Sequence, residues 1–371
     1  MRIAKPGLIE VAFSGSLDSI PLDAQFSVLA NGTTAVFGPP GCGNTWVARC
    51  IAGAAHLPTG FCAVDGEVWQ DEGTFRLPHL RPIGHVLQRP ILFSNLSVRG
   101  NLLCGAPKSK PSAIELDEVV QLLELAPLLD RSPLFLSAAE RQRVAIGNAL
   151  LCQPRLLLME EPLAALDHST KRELLPFLER LHEKLTLPII YISHDMADIE
   201  RLADHLVMMK DGVVTAVGPL HVLQSDLALP LAARHEAAVS FDALVSGYDE
   251  RYGLLVLGFG GARLLVPGEP LTLGAQQRLR IAACDVSVAR EIPRASSILN
   301  VFPARIKASV LLGGAEVTLL LALEGSGSGT RFLSRITRRS FDALGLEDGM
   351  DVFAQVTGLS LVSSSETLLK D

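Results

Sequence analysis

Residues 37–45 read FGPPGCGNT, with glycines at 38, 41 and 43 followed by Asn44 and Thr45. Gly38, Gly41 and Gly43, spaced in this way after the apolar run TTAVF, suit a loop whose backbone N–H groups wrap a phosphate at a helix N-terminus. Such a loop carries Lys before its Ser or Thr, and Asn44 stands in that place. A plain strand-to-helix turn needs the same glycines, so the loop by itself leaves both readings open. Its company narrows the choice. Gln88 ends an apolar run, LSAAERQRVAIGNALL fills 136–151, Glu160 and Glu161 close RLLLMEE, Asp167 closes EEPLAALD, and His194 follows YIS. Two carboxylates at the carboxyl edge of a buried strand stand where open α/β sheets bind their ligands.

The elements that must position these residues follow from periodicity. TTAVFG, PIGHVLQ, RLLLMEE and PIIYISHD are short apolar runs of the kind buried on both faces of a parallel sheet covered by helices. Between Gln88 and Leu136, PSAIELDEVVQLLELAPLLDR repeats its apolar residues at helical spacing, so a helical subdomain is expected over about 88–150, inserted into the sheet domain. From about residue 240 the texture changes to short strands with Gly and Pro turns, as in YGLLVLGFGGARLLVPGEPLTLG, which suits a small β-barrel or sandwich. Segments 273–288 and 347–362 share a Gly, strand, Ser pattern that hints at an internal repeat. The expected division is 1–232 and 240–365.

Composition sets the limits. The chain has 371 residues, 48% of them hydrophobic and 20% charged, enough for two or three domains with real cores. A formal charge of −7 lacks the basic field that a general nucleic-acid binder needs, so no nucleic-acid partner is expected. Glu10 interrupts the apolar N-terminal stretch, which argues against a secretory signal, and no uncharged apolar run is long enough to span a bilayer. Cys42, Cys50, Cys62, Cys104, Cys152 and Cys284 are scattered without a Cys-x-x-Cys pair, as suits reduced structural thiols in a cytoplasmic protein.

The order and spacing of the loop, Gln88, LSAAERQRVAIGNALL, RLLLMEEPLAALD and YISHD resemble the ATP-binding subunits of ABC transporters. RPIGHVLQRPILFSNLSVRGNLLCG, EEPLAALDHSTKRELLPFLERL and RLADHLVMMKDGVVTAVGPL are similar to the subunits of molybdate importers. Residues 297–362, entered through SSILNVFPARI, resemble the molybdate-binding β-domain appended to them. The resemblance implies a P-loop ABC ATPase domain with an inserted helical subdomain, α/β in class. A small all-β domain of the oligonucleotide- or oxyanion-binding type follows it.

It also implies roles. ATP and Mg²⁺ are the expected cofactors, with molybdate at the C-terminal domain. Phe13 would stack on adenine; the backbone from Gly41 through Cys42, Gly43 and Asn44 to Thr45 would cradle the phosphates. Thr45, Gln88 and Glu160 would face Mg²⁺. Glu161 would polarise the attacking water, with His194 sensing the γ-phosphate and Gln88 completing the catalytic set. Ser137, Ala138 and Ala139 would meet the nucleotide held by the second subunit of a homodimer, and Asp167 counts among the nucleotide-binding residues. Arg89–Asn101, with Ile91, Leu92, Phe93 and Leu96 around Ser94 and Asn95, would dock an integral membrane permease at the cytoplasmic face of the inner membrane. A periplasmic binding protein would take part indirectly.

Several positions depart from the family's pattern. Asn44 replaces the loop Lys, Ala138 and Ala139 replace two glycines of a Ser-Gly-Gly run, and Glu160 replaces an Asp, adding a methylene at a metal with strict octahedral geometry. Asn148 and Leu299 replace basic residues, the latter in the oxyanion domain. Ser137 and Glu140 keep the spacing of a capping box. Two readings follow: a working importer ATPase, or a subunit that binds nucleotide without hydrolysing it and holds or regulates a complex. A hydrogen bond to a charged group is worth roughly 1.5–3 kcal/mol, so Asn44→Lys should tighten ATP binding about tenfold or more. Isothermal titration of both proteins checks this, and equal dissociation constants would refute it.

Overall fold

The computed structural model describes residues 4–18, 20–107, 113–323, 329–358 and 360–361. The chain divides into two compact units, Met1–Gly218 and Pro219–Asp371.

The first unit is built on a ten-stranded sheet. Its strands are β1 (Leu8–Leu17), β2 (Ile20–Leu29), β3 (Thr33–Phe37), β4 (Phe61–Val64), β5 (Glu67–Gln70), β6 (Ile83–Val86), β7 (Leu156–Glu160), β8 (Ile189–Ser193), β9 (His205–Lys210) and β10 (Val213–Pro219). The order across the sheet is β5-β4-β1-β2-β10-β9-β3-β8-β7-β6. The stretch β9-β3-β8-β7-β6 is parallel. The four apolar runs expected to form buried parallel strands are β3, β6, β7 and β8. Burial on both faces explains the apolar runs of β7 and β8: every residue of β8 is buried, whereas the edge strand β6 alternates. The flanking β1, β2 and β4 pair antiparallel, and there Ile9, Val11 and Phe13 alternate inward with exposed or half-buried neighbours.

Helix α1 (Asn44–Ala52) follows β3 directly. Between β6 and β7 lie α2 (Val98–Leu102), α3 (Leu116–Leu122) and α4 (Ala138–Leu151), with α5 (His168–Lys184) and α6 (Met196–Leu202) after β7 and β8. This is the expected helical insertion; Pro111 and Ser112 of its quoted sequence lie outside the described residues. Gly147 lets α4 sit close against α2 and α3, because a Cβ there would come 2.7 Å from Leu102 and 3.1 Å from Val119. Next to it, Asn148 donates from Nδ2 to the carbonyls of Asn101 (2.8 Å) and Cys104 (2.7 Å) at the end of α2. The residue standing where a basic side chain was expected thus supplies donors that the carbonyls of a helix end lack.

The second unit opens with α7 (Leu220–Gln224) and α8 (Pro230–Ala233). The boundary therefore falls before Pro219 rather than after 232. The reason is packing: Leu220, Leu223 and Gln224 are buried, and Gln224 Oε1 accepts from the backbone N–H of Ser240 at 2.8 Å, tying the segment to the β-domain. The domain has two five-stranded antiparallel sheets. One holds β11 (Ala238–Asp249), β12 (Leu254–Phe259), β13 (Ala262–Pro267), β14 (Gln276–Ala282) and, at its edge, β20 (Ser360–Leu361). The other holds β15 (Val286–Ala289), β16 (Asn300–Leu312), β17 (Glu316–Leu323), β18 (Arg331–Thr337) and β19 (Asp351–Val356), with α9 (Arg338–Leu344) between the last two.

Both sheets bury residues in one core, from Val239 and Leu257 to Leu319 and Ala354. The two segments with the shared pattern pair with each other: β14 with β20, and β15 with β19, where Val286 faces Val356. Each contributes a strand to both sheets. The ends of the segment 347–362 and of the expected domain, Leu359 and 362–365, lie outside the described residues.

Candidate functional site

The parallel ladder delivers the sequence-identified residues to one edge of the sheet. Phe37 and Ser193 face each other at the ends of β3 and β8, Glu160 ends β7 opposite Ile192, and Val86 ends β6 opposite Met159. The Gly-rich loop, Glu160, Glu161, Gln88 and His194 all follow these carboxyl ends, where an open α/β sheet holds ligands.

The loop has the geometry of an anion cradle. Gly41 (φ 83°) and Gly43 (φ 100°) are in left-handed conformations, and Gly43 is the N-cap of α1 with no side chain capping the helix. A Cβ on Gly38 would strike the Met209 carbonyl, so β9 packs on loop backbone. The Cys42 carbonyl accepts from Gly212 at 3.0 Å, fixing the loop to the turn between β9 and β10. First-turn N–H groups left without a side-chain cap, at the positive end of a helix dipole, suit a phosphate. The Cys42 thiol donates to Asn44 Oδ1 at 3.0 Å, so Asn44 turns its oxygen back on the loop and brings no charge. Burial pushes that thiol's pKa up, which keeps it protonated as a donor.

Glu161 sits at φ 46°, a conformation that costs a non-glycine residue of order 1–3 kcal/mol. The backbone holds it there: its N–H donates to the Ile192 carbonyl at 2.9 Å and its carbonyl accepts from Ala164 at 3.1 Å. Its Oε1 lies 3.1 Å from the His194 backbone N and 2.7 Å from His194 Nδ1. A carboxylate oxygen only accepts, so Nδ1 carries the hydrogen. The sequence-predicted pair is therefore brought into contact.

Behind His194 stands an ion cluster absent from the sequence reading. Lys171 Nζ on α5 bonds Asp195 at 2.8 Å and Asp198 at 3.3 Å, and Asp195 caps α6 through Ala197 N while its own N–H donates to Ser193 Oγ. Burial pushes the Asp195 carboxyl up, but the Lys171 hydrogen bond and charge outweigh it and hold the group below its ordinary range. Asp198 goes the other way, raised by burial and by the neighbouring Asp195 charge. Two carboxylates sharing one ammonium fix the backbone on the C-terminal side of His194.

Other assignments change. Phe13 is 1% exposed and belongs to the core with Ile9 and Val11, under a cleft of about 240 Å³ that Ser14, Asp23, Gln25 and Asp71 also line. Almost all of the ring is packed in the core and only its edge borders the cleft, as the period-two alternation of β1 dictates. Ser137 and Glu140 form the expected capping box, at 3.1 Å and 2.6 Å, and Ala138 is exposed beside it. Ala139, however, is 0% exposed, and its methyl is in the core. Asp167 is the N-cap of α5, accepting from Thr170 N at 2.8 Å and Ser169 Oγ at 2.7 Å.

Glu160 is engaged by a residue that the sequence reading passed over, His85 on β6, whose Nε2 lies 2.5 Å from Glu160 Oε1. Gln88 is exposed two residues past β6. Thr45, Gln88 and Glu160 offer only hard oxygen donors, which fit Mg²⁺ better than a softer metal. In the segment 89–101, Ile91 is 81% and Phe93 53% exposed, while Leu92 is half-buried. Asn101, buried, clamps the turn by accepting from Phe93 N (2.7 Å) and donating to the Phe93 and Ser97 carbonyls (both 3.0 Å).

The Asp167 hydrogen bonds hold its carboxyl at about 2, with the Thr170 backbone N–H the largest cause. Since the folded value lies below the unfolded value of about 3.9, the capping contribution is present above that value and lost as pH falls through about 2. Asp167→Asn removes the titration. The melting-temperature gap between the native protein and this variant should narrow as pH falls from about 5 to about 2. A gap that stays constant over that window would show that Asp167 does not contribute as a carboxylate cap.

The ABC transporter family pattern matches residues 22–164, and the TOBE domain pattern matches residues 296–357. The molybdenum import ATP-binding protein ModC 1 of Bradyrhizobium diazoefficiens is 64% identical over 95% of each chain. ModC 2 of the same organism is 62% identical over 97% of this chain, which spans 40% of that longer relative. Among solved structures, CbiO1 from Clostridium perfringens, part of the ABC transporter complex CbiONQ, aligns with a TM-score of 0.50 at 26% identity. That alignment covers 57% of this chain and 88% of the other. With ModC 1 matched over 95% of both chains and the ABC transporter pattern over 22–164, the chain belongs to the ATP-binding subunits of ABC transporters, in the branch of the molybdenum import ATP-binding proteins.

Proposed function

We propose that this chain powers molybdate import by binding and hydrolysing ATP as one of two copies in a membrane transporter. The observation that carries the reading is the hydrogen bond between His194 Nδ1 and Glu161 Oε1 at the carboxyl edge of the sheet, beside an uncapped helix N-terminus. It leaves a general base oriented next to a phosphate cradle. Thr45, Gln88 and Glu160 would hold Mg²⁺, which supplies charge neutralisation on the phosphate oxygens when bound. The alternative of a non-hydrolytic subunit draws no support from the relatives. Asn44 still lowers the positive charge facing the phosphates, so slow turnover is expected rather than none.

No helix among the described residues is long and apolar enough to cross a membrane, so attachment would come through a permease subunit. Ile91 and Phe93, on a turn that Asn101 holds rigid, supply an exposed apolar surface for that contact. Molybdate binding by the β-domain and indirect dependence on a periplasmic binding protein belong to the same reading.

Cells lacking the chain should take up little radiolabelled molybdate, and Glu161→Gln should fail to restore either uptake or ATP turnover. Unchanged molybdate uptake with a fall in sulfate uptake would refute the substrate assignment. Ile91→Asp with Phe93→Asp should release the chain from membranes while leaving its thermal melt unaltered, since both side chains are exposed. Co-sedimentation of the double variant at native yield would place the docking surface elsewhere.

A further inference from the structure

His85 stands on β6 beside the end of β7. The strands pair in parallel, with His85 opposite Leu158 and Val86 opposite Met159. The imidazole reaches along the neighbouring strand to Glu160, where Nε2 and Oε1 are 2.5 Å apart. A carboxylate oxygen only accepts, so the ring donates. Both side chains are mostly withdrawn from water, at 28% and 12% exposure, and a charge-assisted bond is worth more there than on the surface. The length of Glu160 is what allows the contact: an aspartate, one methylene shorter, would be drawn back from the ring. A free glutamate at this place would also carry an extra rotatable bond, whose freedom works against a metal demanding octahedral geometry.

We propose that His85 is the positioning residue for Glu160, holding one carboxylate oxygen so that the other faces the metal that accompanies the nucleotide. His85 and Glu160 then act as one unit in place of a shorter acid. The longer acid is matched by its neighbour rather than straining the site, and Glu160→Asp alone should weaken metal binding. This inference rests on the reading of the edge as a nucleotide and metal site.

The test measures Mn²⁺ binding by electron paramagnetic resonance on the full chain with a non-hydrolysable ATP analogue. Loss of a hydrogen-bonding partner to a metal ligand costs about 10–100-fold in affinity, so His85→Ala should weaken Mn²⁺ binding about tenfold or more. His85→Gln, which keeps a donor near the Nε2 position, should recover most of the loss. In a Glu160→Ala background, His85→Ala should have no further effect. Native-like or tighter Mn²⁺ binding by His85→Ala, or an equal loss in both backgrounds, would overturn the positioning role. If the native chain itself binds no Mn²⁺ with the analogue, the site reading fails, and this inference with it. Thermal melts of each variant separate unfolding from loss of the site, and the Gln variant keeps the test decisive if the Ala variant does not fold.

Discussion

The parallel pairing of β3, β8, β7 and β6 is the constraint on which the site depends. Its hydrogen-bond register sets Phe37 level with Ser193, Ile192 level with Glu160, and Met159 level with Val86. Residues far apart in the chain therefore leave the sheet together, in one row at one edge. Nothing local to the Gly-rich loop could bring Glu161 and His194 beside it. Strands buried on both faces make the row stiff, and side chains held on stiff backbone need little reordering when a ligand binds.

The strain in the site is stored where this framework is strongest. Glu161 holds a left-handed conformation immediately after β7, and the bond from its N–H to Ile192 extends the β7–β8 pairing into that residue. The resulting bend turns the carboxylate toward His194. The backbone about His194 is fixed in turn by the Ser193 hydroxyl and by the cluster of Lys171, Asp195 and Asp198. Glu161 and His194 are thus held from two sides by hydrogen bonds that involve no ligand.

The positions expected to differ from the family's pattern do not share one environment. Ala139 fills the core, and Asn148 serves the end of α2 by donating to its carbonyls. Both side chains serve packing. Asn44 differs, because its side chain is turned onto Cys42 at the start of the loop helix. The helix N-terminus and the left-handed glycines stand beside it without a side-chain cap.

What the sequence by itself determined was everything with a local period or cap. The buried parallel strands, the glycine loop, the Ser137–Glu140 box and the change of texture into an all-β domain were each legible within a few residues. The burial of Phe13 is written in the same way, in its alternation with Ile9 and Val11. Tertiary structure decided which side chains meet. His85 and Glu160 are 75 residues apart, Asn148 and the Asn101 carbonyl 47, and Lys171 and Asp195 24. The burial of Ala139 and the docking of Leu220–Gln224 on the second unit were decided in the same way. Periodicity states which face of an element is apolar, but the partner across that face is set by strand register and close packing, and neither is written in the spacing of neighbouring residues.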